Sequence, residues 1–149
     1  MFDLQTINRM NSAGGLSKAE VKARFLGSVK VTRAANNSWC VDSPEPETDR
    51  VYIHMKTEVV HIYHDGSVSL DSGTWRTVTT KDRINRFQGV CSVYSERGRW
   101  IVCVLETGKR FRFDDGMLIL PDGSVEDGVG RPMDALPEKR TRKVKEVQS

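Results

Sequence analysis

The chain has 149 residues, 38% of them hydrophobic and 29% charged, with a formal net charge of +3. That is enough for one domain with a real core, and no run approaches the ~18 apolar residues that span a bilayer. Three cysteines (Cys40, Cys91, Cys103) without a C-x-x-C pair speak against a secreted disulfide scaffold. The N-terminal Met1-Phe2-Asp3-Leu4-Gln5-Thr6 lacks the layout of a signal peptide, so a reduced, cytoplasmic setting is expected.

The positive charge is unevenly placed. Residues 137–149 hold Lys139, Arg140, Arg142, Lys143 and Lys145 against Glu138 and Glu146, which leaves 18 basic and 18 acidic residues elsewhere. The expected organisation is one neutral domain over residues 1–123 and a flexible basic tail over 124–149, rich in Gly, Pro and charge. Such a tail either adds affinity for polyanions or serves as a solubilising end.

In chain order, residues 1–15 carry Phe2, Leu4, Ile7 and Met10 before Gly14-Gly15, the pattern of a short helix or docking arm. Ser17-Lys18-Ala19-Glu20 is a capping box opening a helix whose apolar face is Val21, Phe25 and Leu26. Gly27 is its expected stop. Strands over 28–33 and 38–41 flank a turn at Asn36-Asn37, and Ser43-Pro44-Glu45-Pro46-Glu47-Thr48-Asp49 reads as a polar loop.

From residue 51 the chain repeats itself at an offset of fifty. Val51-Tyr52-Ile53-His54-Met55-Lys56-Thr57-Glu58 parallels Ile101-Val102-Cys103-Val104-Leu105-Glu106-Thr107-Gly108. Tyr63-His64-Asp65-Gly66 then parallels Phe113-Asp114-Asp115-Gly116. Strands are expected over 59–64 and 67–71 in the first copy, and over 100–105, 109–113 and 117–120 in the second. A helix over about 80–88, capped by Thr79 with Asp82 in the capping-box position, and a strand over 90–95 lie between the copies. The fold class this predicts is mainly antiparallel β, an open sheet or partly open barrel of two duplicated units (about 51–73 and 101–123) with two short helices.

Alternation assigns Val51, Ile53, Met55, Val68 and Leu70 with Ile101, Cys103, Leu105, Leu118 and Leu120 to a shared core. The opposite face is polar in copy one (Tyr52, His54, Ser67, Ser69) and apolar in copy two (Val102, Val104, Met117, Ile119). An apolar outer face needs a cover: the Val21 helix is the first choice, a second copy of the chain or another protein the alternative.

The least ordinary stretch is Trp75-Arg76-Thr77-Val78-Thr79-Thr80-Lys81-Asp82-Arg83-Ile84-Asn85-Arg86-Phe87. Ile84 and Phe87 turn inward, leaving Lys81, Arg83, Asn85 and Arg86 outside. Free N–H groups at a helix start, beside Thr79 and these cations, suit a phosphate. Lys109-Arg110-Phe111-Arg112-Phe113 places Arg110 and Arg112 on one face of a strand, with Arg97, Arg99, Trp100 and Tyr94 at the neighbouring hairpin. Cations with aromatic platforms are how β-rich modules hold single strands. Enzyme signals are weak: His61 and His64 fall on opposite faces of a strand, no cysteine pair completes a metal site, and no glycine-rich phosphate loop appears.

The run Asp65-Gly66-Ser67-Val68-Ser69-Leu70-Asp71-Ser72-Gly73, followed by Trp75-Arg76-Thr77 and Thr79-Thr80-Lys81-Asp82-Arg83-Ile84-Asn85, resembles a block found in small proteins of tailed bacteriophages. The similarity extends to Phe113-Asp114-Asp115-Gly116-Met117. It implies a phage origin and expression in a bacterial host cytoplasm, and it supplies no catalytic residues.

The expected function is binding of single-stranded DNA in phage replication or transcription, without catalysis, metal or cofactor. Arg76, Lys81, Arg83, Arg86, Arg110 and Arg112 would meet phosphates with Thr79, and Trp75 and Trp100 would stack bases. Two rivals belong to other classes. One is an inhibitor of a host protein acting through Val102, Val104, Met117 and Ile119; the other is a sponge for a nucleotide signal at the Thr79-Thr80 helix end.

Overall fold

The computed structural model describes residues 15–25 and 29–138. The short helix or arm expected near the N-terminus, the helix stop at Gly27 and the cationic residues from Lys139 onward lie outside these residues. No described helix is long and apolar enough to cross a membrane.

Helix α1 (Lys18–Arg24) opens on the expected capping box: Ser17 Oγ accepts from the Glu20 N–H at 3.1 Å, and Glu20 Oε1 accepts from the Ser17 N–H at 3.0 Å. Ten strands and a second helix follow. They are β1 (Lys30–Ala35), β2 (Ser38–Glu45), β3 (Thr48–His54), β4 (Thr57–Tyr63), β5 (Val68–Leu70), α2 (Val78–Phe87), β6 (Cys91–Glu96), β7 (Arg99–Val104), β8 (Arg110–Arg112), β9 (Met117–Ile119) and β10 (Val125–Glu126). All pairings between them are antiparallel. One sheet has the order β1-β2-β3-β4-β5-β9-β10 and the other β6-β7-β8. The fold is mainly β with two short helices, and it is not a closed barrel.

The segment read as a polar loop, residues 43–49, is largely strand. β2 runs to Glu45 and β3 starts at Thr48, because Ser43 takes a left-handed φ of 45° and the register shifts between Asp42 and Glu45. This bulge absorbs Pro44 without asking it for a ladder N–H.

The assignment of faces in the repeat also changes. Val102, Val104, Met117 and Ile119 are not an outer surface: all four are buried with Val59, Val60, Val68 and Leu70 in the main core. After Gly66 the strand β5 begins at Val68, whereas β9 begins immediately after Gly116, so these two strands slip by one residue and Met117 and Ile119 take the core face; Val102 faces the main core as its equivalent Tyr52 does. Val68 pairs with Ile119 and Leu70 with Met117. These four side chains therefore present nothing to a host protein or a second copy.

Helix α1 covers a different surface from the one expected. Val21 packs with Val31, Val41, Val51 and Ile53 in a smaller core on the far side of β1–β3, and Trp39 Nε1 donates to the Leu16 carbonyl at 2.8 Å beside it. Residues 125–136 add to the edge of the second copy and to the main core. β10 pairs with β9, Met133 N–H donates to Val125 O at 2.8 Å, and Leu136 N–H donates to Arg110 O at 2.7 Å. The folded body thus reaches Glu138 rather than ending at residue 123, since Val125 is a core residue and Met133 packs against the core.

Helix α2 is tied to β6 by two amides. Asn85 exchanges hydrogen bonds with the backbone of Val93 (Nδ2 to O 2.8 Å, N to Oδ1 2.7 Å), standing where a strand neighbour would. Buried Gln88 donates to Ile84 O and Cys91 O and accepts from the N–H groups of Val90 and Cys91. A carboxylate at Val104 would sit unpaired in the main core. Val104→Asp is expected to cost at least about 3 kcal/mol, a large share of the ~5–15 kcal/mol that holds a domain together. Urea unfolding followed by circular dichroism should show a lost or strongly shifted cooperative transition; an unchanged midpoint would contradict the buried placement.

Candidate nucleic-acid interface

Arg76 is placed by one carboxylate. Asp115, in the β8–β9 loop, accepts from the Ser72 N–H at 2.6 Å and from Ser72 Oγ at 2.7 Å. Arg76 completes the knot, donating from Nε to Ser72 Oγ at 2.9 Å and approaching Asp115 Oδ2 at 3.5 Å. Burial works to raise the Asp115 pKa, but the two Ser72 hydrogen bonds and the Arg76 charge outweigh it and hold the carboxyl below its ordinary value.

The guanidinium of Arg76 then lies 4.6 Å from the centre of the Phe113 ring and 5.4 Å from that of Trp100. Lys81 Nζ reaches the same indole at 6.0 Å and donates to Ser95 Oγ at 2.9 Å. Trp100 packs edge-on against Phe113 and is only 8% exposed. It is therefore a core residue under two cations, not a free stacking platform. Phe111 and Phe113 are likewise buried.

Around this cluster runs a groove of about 350 Å³ lined by Arg76, Ser95, Arg99, Trp100, Arg112 and Phe113. A second groove of about 330 Å³ is lined by Arg97, Arg99, Arg110, Ile101 and the Leu136-Pro137 segment, with Glu96 as its acidic member. Arg99 lines both. Arg97, Arg99 and Arg112 have no ion-pair partner among the described residues. Arg110, by contrast, spends its charge inside the protein, donating to Glu96 Oε2 and to the Pro137 carbonyl, each at 3.0 Å.

Of the residues singled out from the sequence, Arg76, Lys81, Trp100, Arg110 and Arg112 come together here. The others do not. The side chain of Arg83 is mostly buried and is paired with Asp82 at 2.7 Å. Thr79 and Arg86 are exposed on α2 but line neither groove. The helix is capped by Thr77 rather than Thr79: Thr77 Oγ accepts from the Thr80 N–H at 3.1 Å. Trp75 lines neither arginine groove but a separate cleft, with His54, Thr77 and Thr80. Sequence reasoning passed over Asp115, which looked like a turn residue of the Asp-Gly type, and the Leu136-Pro137 segment, which looked like tail. It noted Arg97 and Arg99 without placing them in the site.

His54, expected on a polar outer face, is 6% exposed. Its Nδ1 lies 2.9 Å from Ser38 Oγ, and that hydroxyl donates to Asn36 O at 3.0 Å. With the serine proton so committed, Nδ1 must carry the imidazole proton. Burial, aided by the nearby charge of Arg83, lowers the His54 pKa from its ordinary 6.5. The folded state therefore keeps His54 neutral where the unfolded chain takes up a proton. Stability is full above 6.5 and is lost as pH falls from there toward the lowered value. The expected contribution is a loss of up to about 1.4 kcal/mol per pH unit in that window. Urea titrations at several pH values should show a shallower decline for His54→Asn than for the unaltered protein; equal slopes would contradict a buried neutral His54.

The family model described as Kyanoviridae Gp96 protein matches residues 18–119, from the first turn of α1 to the last residue of β9. No curated protein and no solved structure is significantly similar to the chain. Among the described residues the match takes in both helices, nine of the ten strands and the Asp115 knot. The chain therefore belongs to the Kyanoviridae Gp96 family of phage proteins.

Proposed function

We propose that this phage protein binds single-stranded DNA in the host cytoplasm without catalysis, holding its phosphates on the arginine grooves around the β6–β7 turn. The observation that carries this reading is the gathering of Arg97, Arg99 and Arg112, which have no ion-pair partner among the described residues, in a chain whose basic and acidic residues before 137 are equal in number. Arg76 adds a fourth guanidinium at the groove wall. Leu136 and Pro137 line the same surface, and in the sequence Lys139, Arg140, Arg142, Lys143 and Lys145 follow shortly after them.

Two shallow grooves that meet at Arg99 suit a flexible strand better than a rigid duplex. The described surface there has no strongly exposed aromatic ring, since Trp100 is buried and Tyr94 half-buried. Phosphate contacts therefore dominate this mode of binding, and they make it tolerant of sequence and sensitive to salt.

The test is fluorescence anisotropy of labelled single-stranded and duplex DNA across a salt series. The full chain, a 1–138 truncation and Arg99→Ala/Arg112→Ala are compared. The double variant should weaken single-strand binding by about tenfold or more. It should also reduce the salt slope by about 0.7 for each phosphate that it no longer neutralises. The truncation should bind more weakly yet still bind. Absence of binding at low salt, or a double variant that binds like the unaltered protein, would remove the proposal.

A further inference from the structure

The cleft that receives Trp75 is separate from the arginine grooves and about 560 Å³ in volume, within the range of small-molecule sites. Its wall is mainly apolar, from Met55, Val59 and the indole of Trp75, which is 68% exposed and makes no ring contact among the described residues. An exposed indole at the mouth of a cleft is an open platform for a flat ring.

The polar groups along the wall are few, and their hydrogen-bonding roles are assigned by their neighbours. Because Nδ1 of His54 donates to Ser38, Nε2 is left as a lone-pair acceptor, with no partner among the described residues. Thr77 Oγ donates to Thr80 Oγ at 2.9 Å, which leaves the buried Thr80 hydroxyl proton free to donate. The cleft therefore offers an acceptor at His54 and a donor at Thr80 beside an aromatic platform, with the Thr57 hydroxyl also on its wall. An adenine edge offers the complement, an amino donor next to a ring-nitrogen acceptor.

An anion is provided for as well. The cleft wall includes Thr77, the N-cap, and Thr80 of the ten-residue helix α2; the N–H groups of Val78 and Thr79 between them have no partner among the described residues. Lys56, exposed on the β3–β4 turn, has no ion-pair partner among the described residues and lines the same cleft. From this combination we infer that the cleft binds an adenine nucleotide: the base against Trp75 with its edge on His54 and Thr80, the phosphate at Lys56 and the start of α2. The inference stands on these residues alone and does not depend on DNA binding at the arginine grooves.

The experiment is isothermal titration calorimetry of the full chain with AMP, IMP and adenosine. It is repeated on Trp75→Ala and Lys56→Glu, two exposed positions whose replacement leaves the core intact, as circular dichroism would verify. IMP presents a carbonyl acceptor and a ring N–H where AMP presents the amino donor and ring acceptor. AMP is expected to bind in the micromolar-to-millimolar range, and IMP about tenfold or more weakly. Trp75→Ala should weaken AMP about tenfold or more, and Lys56→Glu should bring AMP down to the affinity of adenosine. No heat with AMP at about 1 mM overturns the inference. So does AMP binding that survives both variants, or that survives them and disappears in Arg99→Ala/Arg112→Ala, which would put the anion on the arginine grooves. Equal affinity for IMP overturns the assignment of the base edge.

Discussion

Both candidate surfaces depend on the carboxylate of Asp115. It joins the β8–β9 loop to the segment between β5 and α2, taking the Ser72 N–H and hydroxyl on one oxygen and facing Arg76 with the other. Hydrogen bonds to an ionised carboxylate are among the stronger ones, worth about 1.5–3 kcal/mol each when sheltered. With Ser72 held, Arg76 settles over Phe113 and Trp100, and its neighbour Trp75 lines the separate cleft. One loop aspartate thus sends a cation to one groove and an indole to another cleft.

The electrostatics follow a similar economy. Charges that could oppose one another across the surface are paired close to home: Arg24 with Glu58, Arg50 with Asp49, Arg83 with Asp82, Arg110 with Glu96. At physiological salt, exposed charges reach only about 8 Å, so a balanced total does not cancel a local patch. What remains near the β6–β7 turn is a short stretch of guanidinium without an ion-pair partner among the described residues, and its field is set by its near neighbours rather than by the net charge.

Local chemistry was legible in the sequence. The Ser17–Glu20 box, the Asn36-Asn37 turn and the Asp65-Gly66 and Asp115-Gly116 turns each depend on residues a few positions apart, and each forms as read. Features set by distant neighbours were not. Trp100 looked available because the cations that cover it come from α2 and the segment before it. The repeat pointed to two duplicated units with matching faces, but a one-residue slip after the glycines reversed the faces of β9 relative to β5, and the main core lies on the Tyr52 side of β3 rather than the Val51 side. Three threonines among residues 77–80 each had the chemistry of a cap, and only packing selects Thr77. Gly and Pro after residue 124 suggested a tail, yet Val125, Met133 and Leu136 find partners in β9, β10 and β8. The candidate site was legible as a set of cations, and its geometry was not.

The strand order has a consequence for synthesis. β1 to β5 form a meander in which each strand meets the one made just before it, but β5 must also pair with β9, which comes only after α2 and all of β6–β8. While the ribosome makes those elements, Val68–Leu70 remains an open edge whose eventual neighbour does not yet exist. Long-range pairings of this kind are slow to form, and open edges invite foreign strands. The brevity of β5 and β9, three residues each, limits that exposure, so the nascent chain carries its unfinished seam in short strands.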